Sequence, residues 1–254
     1  MKNINEMTVF ELAELAHELR LTEQVKTYLQ IVERFNSIQK QGIGNIIIDL
    51  RNNGGGSELL CRQLMYFLTD RNDLKDFTKM YFLSDFNKQT ESKKYKDFIA
   101  SYTLKNSRRP ESGKIYKYGF FDCDSSFFDK IENKKSPYFI PKNRTVFKGK
   151  VIVLANYGTG SAAAMLTTLL KDHGIATVIG TSTGNNPIGA TTFNLFKLPY
   201  SKLTGTVASD YLERPNINQG KIFLPDYWIE NNWDDLIEGN DQYFELAMKL
   251  INTK

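Results

Sequence analysis

Apolar residues along the chain form short runs that predict buried strands. Residues 43–50 are short, β-branched and almost continuously apolar, and residues 150–155 repeat this pattern. Continuous apolar runs of this length are typical of parallel strands covered on both faces. We predict a central parallel strand at 43–50, a second buried strand at 150–155, and further strands at 176–179, 192–197 and 204–212.

Between these runs, apolar residues recur at helical spacing and are preceded by residues that can cap a helix. The pattern predicts helices that open after Thr8, near Thr22 and after Ser57, and helices over residues 161–173 and 241–251. Strands alternating with helices predict an α/β sheet, with antiparallel hairpins late in the chain.

Residues 70–148 differ from the rest of the chain. They are rich in Lys, Asn, Ser and aromatic residues and show weak periodicity over a length that is unusual for a connection inside a compact domain. We interpret residues 1–254 as a single domain with leading helices at 1–42 and an insertion or cap at 70–148. Within the insertion, a cluster of aromatic residues predicts a hairpin over a cleft: Tyr116, Tyr118, Phe120 and Phe121.

Composition and charge exclude several classes of function. The chain has 33 basic and 29 acidic residues, scattered without a basic stripe, so we predict no nucleic-acid partner. Its two cysteines, Cys61 and Cys123, lie in unlike contexts, which argues against a disulfide framework. With two histidines and neither a CxxC nor an HExxH motif, we predict no metal and no cofactor. No apolar run approaches the roughly 20 residues of a membrane span, and the amino terminus lacks the pattern of a signal peptide.

The first turn with candidate chemistry is Asn-Asn-Gly-Gly-Gly at residues 52–56, between a predicted strand and a predicted helix. Its backbone N–H groups would lie at the carboxyl edge of the sheet, where glycine allows a reacting group to approach closely. Such groups, with the positive end of the following helix, can stabilise an oxyanion. A flexible connection is the alternative interpretation.

The second turn, residues 156–164, also follows a buried strand and opens a helix. Ser161 stands at the helix start, where a serine is either a nucleophile or an N-cap. The small residues 162–164 leave room beside the hydroxyl, and the Ala162 N–H is a second candidate oxyanion donor.

Residues 46–56 and 151–180, with shorter matches at 198–199 and 224–226, resemble the C-terminal-processing, or tail-specific, serine peptidases. This family is related to the tricorn core and to the crotonase-like fold. The resemblance covers about residues 25–252. It implies a crotonase/ClpP-like core of mostly parallel buried strands with flanking helices, an inserted cap, and hydrolysis of peptide bonds in peptide or protein substrates. Bacterial members are often exported to the cell envelope, so the compartment of this chain stays open, as does its oligomeric state.

Position by position, the resemblance assigns the nucleophile to Ser161 and the oxyanion-forming amides to Gly55, its neighbour Gly56, and Ala162. Charged residues expected nearby are replaced. Asn186 stands where lysine-dependent members carry their lysine, Thr181 where other members often carry a glutamate, and Ala164 where an acidic residue often lies in the nucleophile helix. Asparagine cannot act as a general base.

Four other polar residues are weaker candidates. Tricorn-like members use an early histidine, and His17 is the early histidine of this chain, although its amphipathic helix favours a surface or packing role. His173 ends the Ser161 helix, about 15 Å away along its axis. Glu58 and Glu213 are acidic groups that could line the cleft, and a solvated role is the alternative for each.

Two hypotheses of different classes follow. The first is a serine-type endopeptidase with Ser161 as the nucleophile, whose base comes from an amino-terminal segment, a second subunit, or a lysine or histidine distant in sequence. The second is a truncated or degenerate family member that binds peptides or acts as a scaffold without catalysis. Acyl-CoA chemistry ranks last, because nothing in the sequence indicates nucleotide binding. We predict no PDZ-like domain, since the residues before 43 are helical and too few.

Overall fold

The computed structural model describes residues 23–71, 73–117, 144–230 and 232–253. The helix predicted after Thr8, His17, Cys123 and the aromatic residues of the predicted hairpin beyond residue 117 lie outside these ranges. The chain divides into two compact units. Unit 1 takes the described parts of Met1–Leu74, Ser126–Asn186 and Ile222–Lys254, and unit 2 takes those of Lys75–Ser125 and Pro187–Lys221.

The helices and strands follow one another along the chain in this order: α1 (Glu23–Lys40), β1 (Asn45–Asp49), α2 (Glu58–Leu68), β2 (Thr78–Leu83), α3 (Asp85–Thr90), α4 (Ser92–Asn106), β3 (Lys114–Lys117), β4 (Lys150–Ala155), α5 (Ser161–Asp172), β5 (Thr177–Gly180), β6 (Gly189–Lys197), β7 (Thr204–Glu213), β8 (Tyr227–Trp228), α6 (Trp233–Glu238) and α7 (Gln242–Asn252). None of the described helices is long and apolar enough to cross a bilayer.

Unit 1 contains a parallel sheet with the strand order β1-β4-β5-β8. Ile152 and Leu154 of β4 pack with Tyr243 and Ala247 of α7 in one buried cluster. Successive residues of a strand point to opposite faces of the sheet, and the intervening residues of β4 are buried as well. Strand β4 is therefore covered on both faces, which is why its sequence is continuously apolar.

The predicted position of β1 needs a correction. Strand β1 is parallel to β4, as predicted, but among the described residues it lies at an edge of the sheet rather than at its centre. Its residues 46–48 are partly exposed, and Ile43 just before it is 42% exposed. An apolar run indicates that a strand is covered, but it does not determine the order of strands in the sheet.

Capping residues explain where two helices of unit 1 begin. The Ser57 hydroxyl accepts a hydrogen bond from the Leu60 N–H of α2 at 3.4 Å, as the sequence predicts. The Asp241 carboxylate caps α7 by accepting from the Phe244 N–H at 3.1 Å. Asp241 also pairs with Arg51, which follows β1 and pairs in turn with Asp49, both at 2.7 Å. This bridge ties the end of β1 to the start of α7.

Unit 2 contains an antiparallel sheet with the order β3-β2-β7-β6. Tyr95 and Phe98 of α4 pack against Tyr81 and Leu83 of β2. Strand β3 pairs with β2 so that Tyr116 lies opposite Tyr81. The unit combines helices and strands from the weakly periodic part of the chain with the hairpin β6–β7, and the two sheets together give the predicted α/β class.

A buried ion cluster lies in unit 2. The Asp210 side chain is fully buried at 0% exposure and pairs with Lys94 at 2.9 Å and with Lys79 at 3.5 Å. Lys94 also pairs with Glu91 at 3.1 Å and lies over the ring of Tyr81, 4.7 Å from its centre. A buried carboxylate is tolerated when it has cationic partners of this kind.

Candidate functional site

Three turns of unit 1 meet at the carboxyl edge of the parallel sheet. They are residues 50–56 after β1, 156–160 after β4 and 181–186 after β5. Parallel strands bring their carboxyl ends to the same edge, which is where α/β sheets commonly hold their ligands.

Hydrogen bonds join the first two turns directly. The Asn52 N–H donates to the Asn156 side-chain oxygen at 2.9 Å, and the Asn156 side-chain nitrogen donates back to the Asn52 side-chain oxygen at 3.1 Å. The Gly160 N–H donates to the Asn53 carbonyl at 2.9 Å. Thr159, which is fully buried, donates its hydroxyl to the Leu50 carbonyl at 2.8 Å. The serine turn is thereby fixed against the glycine turn.

Ser161 is the first residue of α5, and its backbone is left-handed with φ +48°. The N-cap position of α5 is occupied by Gly160, so Ser161 does not cap this helix. A left-handed backbone costs a residue with a side chain roughly 1–2 kcal/mol, and strain of this kind clusters at functional sites. Ser161 is exposed, and its hydroxyl makes no hydrogen bond with the described part of the chain.

Gly55 lies against Ser161. A Cβ atom added at Gly55 would be 2.6 Å from the Ser161 Cβ and 2.9 Å from the Ala162 nitrogen, and the Gly55 φ is +109°. Only glycine fits both this contact and this conformation. The Gly55 N–H donates to the Asn53 side-chain oxygen at 3.0 Å. Gly56, also with a positive φ of +155°, has open space around it.

Ala162 follows Ser161 and is buried at 1% exposure. Its N–H lies in the first turn of α5, where backbone N–H groups have no partner within the helix. Its carbonyl accepts a hydrogen bond from the Cys61 thiol at 3.4 Å. Burial raises the pKa of Cys61 to about 11, so this thiol stays protonated at neutral pH.

Asn185 is a contact of Ser161 that the sequence did not reveal. Its side-chain oxygen accepts a hydrogen bond from the Ser161 N–H at 2.5 Å. The neighbouring Asn186, which aligns with the family's lysine, is exposed and makes no side-chain hydrogen bond with the described part of the chain. The sequence shows two adjacent asparagines, Asn185 and Asn186, in the turn after β5. Which of the two contacts Ser161 depends on how this turn approaches the start of α5, and the sequence does not give that.

Of the weaker candidates, Glu58 and His173 belong to unit 1 and take no part in these hydrogen bonds. Glu58 pairs with Arg62 at 3.6 Å across the first turn of α2. His173 is the C-cap of α5, at the opposite end of the helix from Ser161. Glu213 ends β7 in unit 2, and His17 lies outside the described residues. In the described ranges no group of His, Cys, Asp and Glu side chains is arranged to hold a metal ion.

The fold and the turn that carries Ser161 define an α/β protein in which a strained serine follows a parallel strand and opens a helix. The profile of peptidase family S41 matches residues 10–228, most of the chain. The chain belongs to peptidase family S41. A comparison with curated proteins found no significant match.

Solved structures of CPAF share this fold at low sequence identity. Mature CPAF is 18% identical with a TM-score of 0.54, over 89% of this chain and 47% of that chain. Its complex with lactacystin gives a TM-score of 0.55 at 18% identity, over 88% and 46% of the two chains. The photosystem II D1 C-terminal processing protease is 20% identical with a TM-score of 0.44, over 81% and 39%. This chain therefore spans less than half the length of these relatives.

Proposed function

We propose that the chain is a serine-type endopeptidase in which Ser161 attacks the carbonyl carbon of a peptide bond. Membership of peptidase family S41 supports hydrolysis of peptide or protein substrates. The observation that carries the assignment to Ser161 is its exposed, left-handed position at the start of α5, in contact with Gly55.

The turn suits this chemistry for two reasons. A strained strand-to-helix turn lifts a serine hydroxyl out of the surrounding backbone, as in other serine hydrolases. The N–H of the next residue, Ala162, then points from the positive end of the helix, where it can stabilise an oxyanion. Amides of Gly55 and Gly56 supply the second donor in this proposal.

The Gly55 N–H, the proposed second donor, must lose its present hydrogen bond before it can bind the substrate oxygen. The Gly55 N–H is bonded to the Asn53 side chain, an exposed group two residues earlier in the same turn. In the proposed mechanism, the substrate oxygen displaces the Asn53 carboxamide from this N–H. A neutral hydrogen bond at an exposed position contributes about 1 kcal/mol, so this exchange is a small barrier to binding.

A serine hydroxyl needs a base to become an effective nucleophile. Asn186 cannot serve, because an amide does not accept a proton at neutral pH. The proposal therefore assigns the base to a group from outside the three turns, with His17 or a second subunit as sources to test by substitution.

Labelling with a fluorophosphonate probe tests the proposed nucleophile. We expect the intact protein to form a covalent adduct and Ser161→Ala to form none, while both unfold at the same temperature. Absence of an adduct on the folded wild-type protein, or an adduct that persists in Ser161→Ala, would sink the mechanism.

One observation favours the second function, a peptide-binding homologue without catalysis. No described residue accepts a hydrogen bond from the Ser161 hydroxyl, and the Gly55 amide is already occupied by Asn53. This function predicts peptide affinity that Ser161→Ala leaves unchanged, with no turnover at any pH. Cleavage of an unstructured substrate that depends on Ser161 would reject it.

A further inference from the structure

We propose that Asn185 is a positioning residue that holds Ser161 in its left-handed conformation. This inference rests on the proposed role of Ser161 as a nucleophile. It starts from the hydrogen bond in which the Ser161 N–H donates to the Asn185 side-chain oxygen at 2.5 Å.

Like an N-cap side chain, Asn185 supplies an acceptor to an N–H group at the start of α5, although it bonds to the first N–H of the helix and not to the second or third. The first backbone N–H groups of a helix lack partners within it, and the N-cap residue here is Gly160, which has no side chain. A Cβ atom on Gly160 would be in van der Waals contact with the Asn185 side-chain oxygen, at 3.4 Å. The capping oxygen thus comes from the turn after β5 instead of from the residue before the helix.

The turn that carries Asn185 is itself held in place. The hydroxyl of the buried Thr183 donates to the Asn185 carbonyl at 2.8 Å. The Gly184 N–H donates to the Thr159 carbonyl at 2.8 Å, and a Cβ atom at Gly184 would lie 2.6 Å from the Tyr157 carbonyl oxygen. The carboxamide is therefore presented from a turn that is anchored on the serine turn.

This arrangement has a consequence for the Ser161 hydroxyl. At the start of a helix, the unstrained alternative for Ser161 is the right-handed conformation, which would turn its side chain away from its present direction. The hydrogen bond to Asn185 holds the peptide group between Gly160 and Ser161. With this peptide group held on one side and the rest of α5 on the other, Ser161 joins them with its left-handed φ. Asn185 acts through the backbone of Ser161 and does not itself touch the substrate.

The test compares two substitutions of similar size. Asn185→Leu removes the acceptor, and Asn185→Asp keeps an acceptor oxygen at the same distance from the backbone. We expect the maximal rate of fluorophosphonate labelling to fall about tenfold in Asn185→Leu, with the concentration for half-maximal rate unchanged. Asn185→Asp should retain labelling within about threefold of wild type. Tenfold is about 1.4 kcal/mol, which is the range of one net hydrogen bond.

A second readout does not depend on activity. Exchange of the Ser161 amide hydrogen with solvent, followed by NMR, should be at least tenfold faster in Asn185→Leu and close to wild type in Asn185→Asp. The control variant is Asn45→Ala, because Asn45 is exposed at the amino end of β1, away from the three turns. It should leave both measurements unchanged.

The outcomes separate the inference from the proposed function. Labelled wild-type protein together with equal labelling of Asn185→Leu would overturn the positioning role alone. Unchanged amide exchange in Asn185→Leu would overturn the contact on which the role depends. A folded wild-type protein that takes no label would overturn the proposed function and, with it, the catalytic part of the inference. If Asn185→Leu and Asn185→Asp both lowered the unfolding temperature, the role of Asn185 would be to stabilise the fold and not to position Ser161.

Discussion

Gly55→Ala is the substitution in this site with the clearest physical consequence. The added methyl group would lie 2.6 Å from the Ser161 Cβ and 2.9 Å from both the Ala162 nitrogen and the Gly160 carbonyl oxygen. Two of these three neighbours are backbone atoms, which cannot move without shifting the start of α5. The φ of +109° adds strain for any residue with a side chain.

The two contributions give an expected magnitude. A backbone conformation reserved for glycine costs of order 1–3 kcal/mol, and overpacking against fixed neighbours costs about 1–3 kcal/mol. Because the turn is exposed and can relax in part, we expect Gly55→Ala to lower the free energy of unfolding by about 3 kcal/mol. Urea unfolding followed by tryptophan fluorescence measures this difference.

Neighbouring glycines provide matched controls. A Cβ atom at Gly54 meets nothing within 4 Å and the backbone there is not left-handed, so Gly54→Ala should change the unfolding free energy by less than about 0.5 kcal/mol. Gly56 has φ +155° but open space, so Gly56→Ala should carry the backbone cost alone, about 1–2 kcal/mol. If Gly55→Ala proved as stable as Gly54→Ala, the contact between the glycine turn and Ser161 would be refuted.

Three further predictions concern other parts of the chain. Hydrogen bonds from Arg51 lower the pKa of Asp241 below its usual 3.8. Arg51→Met should therefore lower the free energy of unfolding by about 1 kcal/mol at pH 7. This difference between wild type and variant should persist down to pH 3.8 and disappear as the pH falls further, when Asp241 becomes protonated in the folded protein. Equal unfolding midpoints at pH 7 would refute the bridge. Burial raises the pKa of Cys61 from 9.0 to about 11, so this thiol should react with iodoacetamide at pH 8 about a hundredfold more slowly than a free thiol. Peptide mapping measures the rate of alkylation, and a rate close to that of a free thiol would contradict the burial of Cys61. Asp210→Ala should leave the partly buried Lys94 without its main partner and lower the free energy of unfolding in urea by about 3 kcal/mol. A decrease below about 1 kcal/mol would show that Lys94 is solvated.

Local patterns in the sequence were sufficient for the elements that position the site. Apolar runs predicted β1 and β4, and Ser57 marked the start of α2, because buried strands and helix caps depend on residues close together in the chain. The glycine turn and Ser161 were identified as candidates for the same reason, and their catalytic roles stay predictions. The family was predicted from these segments and is confirmed by the profile match.

Features that depend on distant parts of the chain were missed. The sequence placed β1 at the centre of the sheet, whereas β4 lies between β1 and β5. For Ser161 the sequence left two interpretations, N-cap and nucleophile. The structure excludes the N-cap role, because Gly160 holds that position and Ser161 follows it with a left-handed backbone. The contact with Asn185 requires the turn after β5 to meet the start of α5. The spacing of residues along the chain does not predict a contact between segments that are distant in sequence.

The most direct test of the central claim is to map the site of fluorophosphonate modification by mass spectrometry on the folded wild-type protein. The account predicts a single adduct on Ser161 whose formation stops when the protein is unfolded in urea, because the reactivity comes from the three assembled turns. An adduct on another residue, or no adduct on a protein shown to be folded, would contradict it.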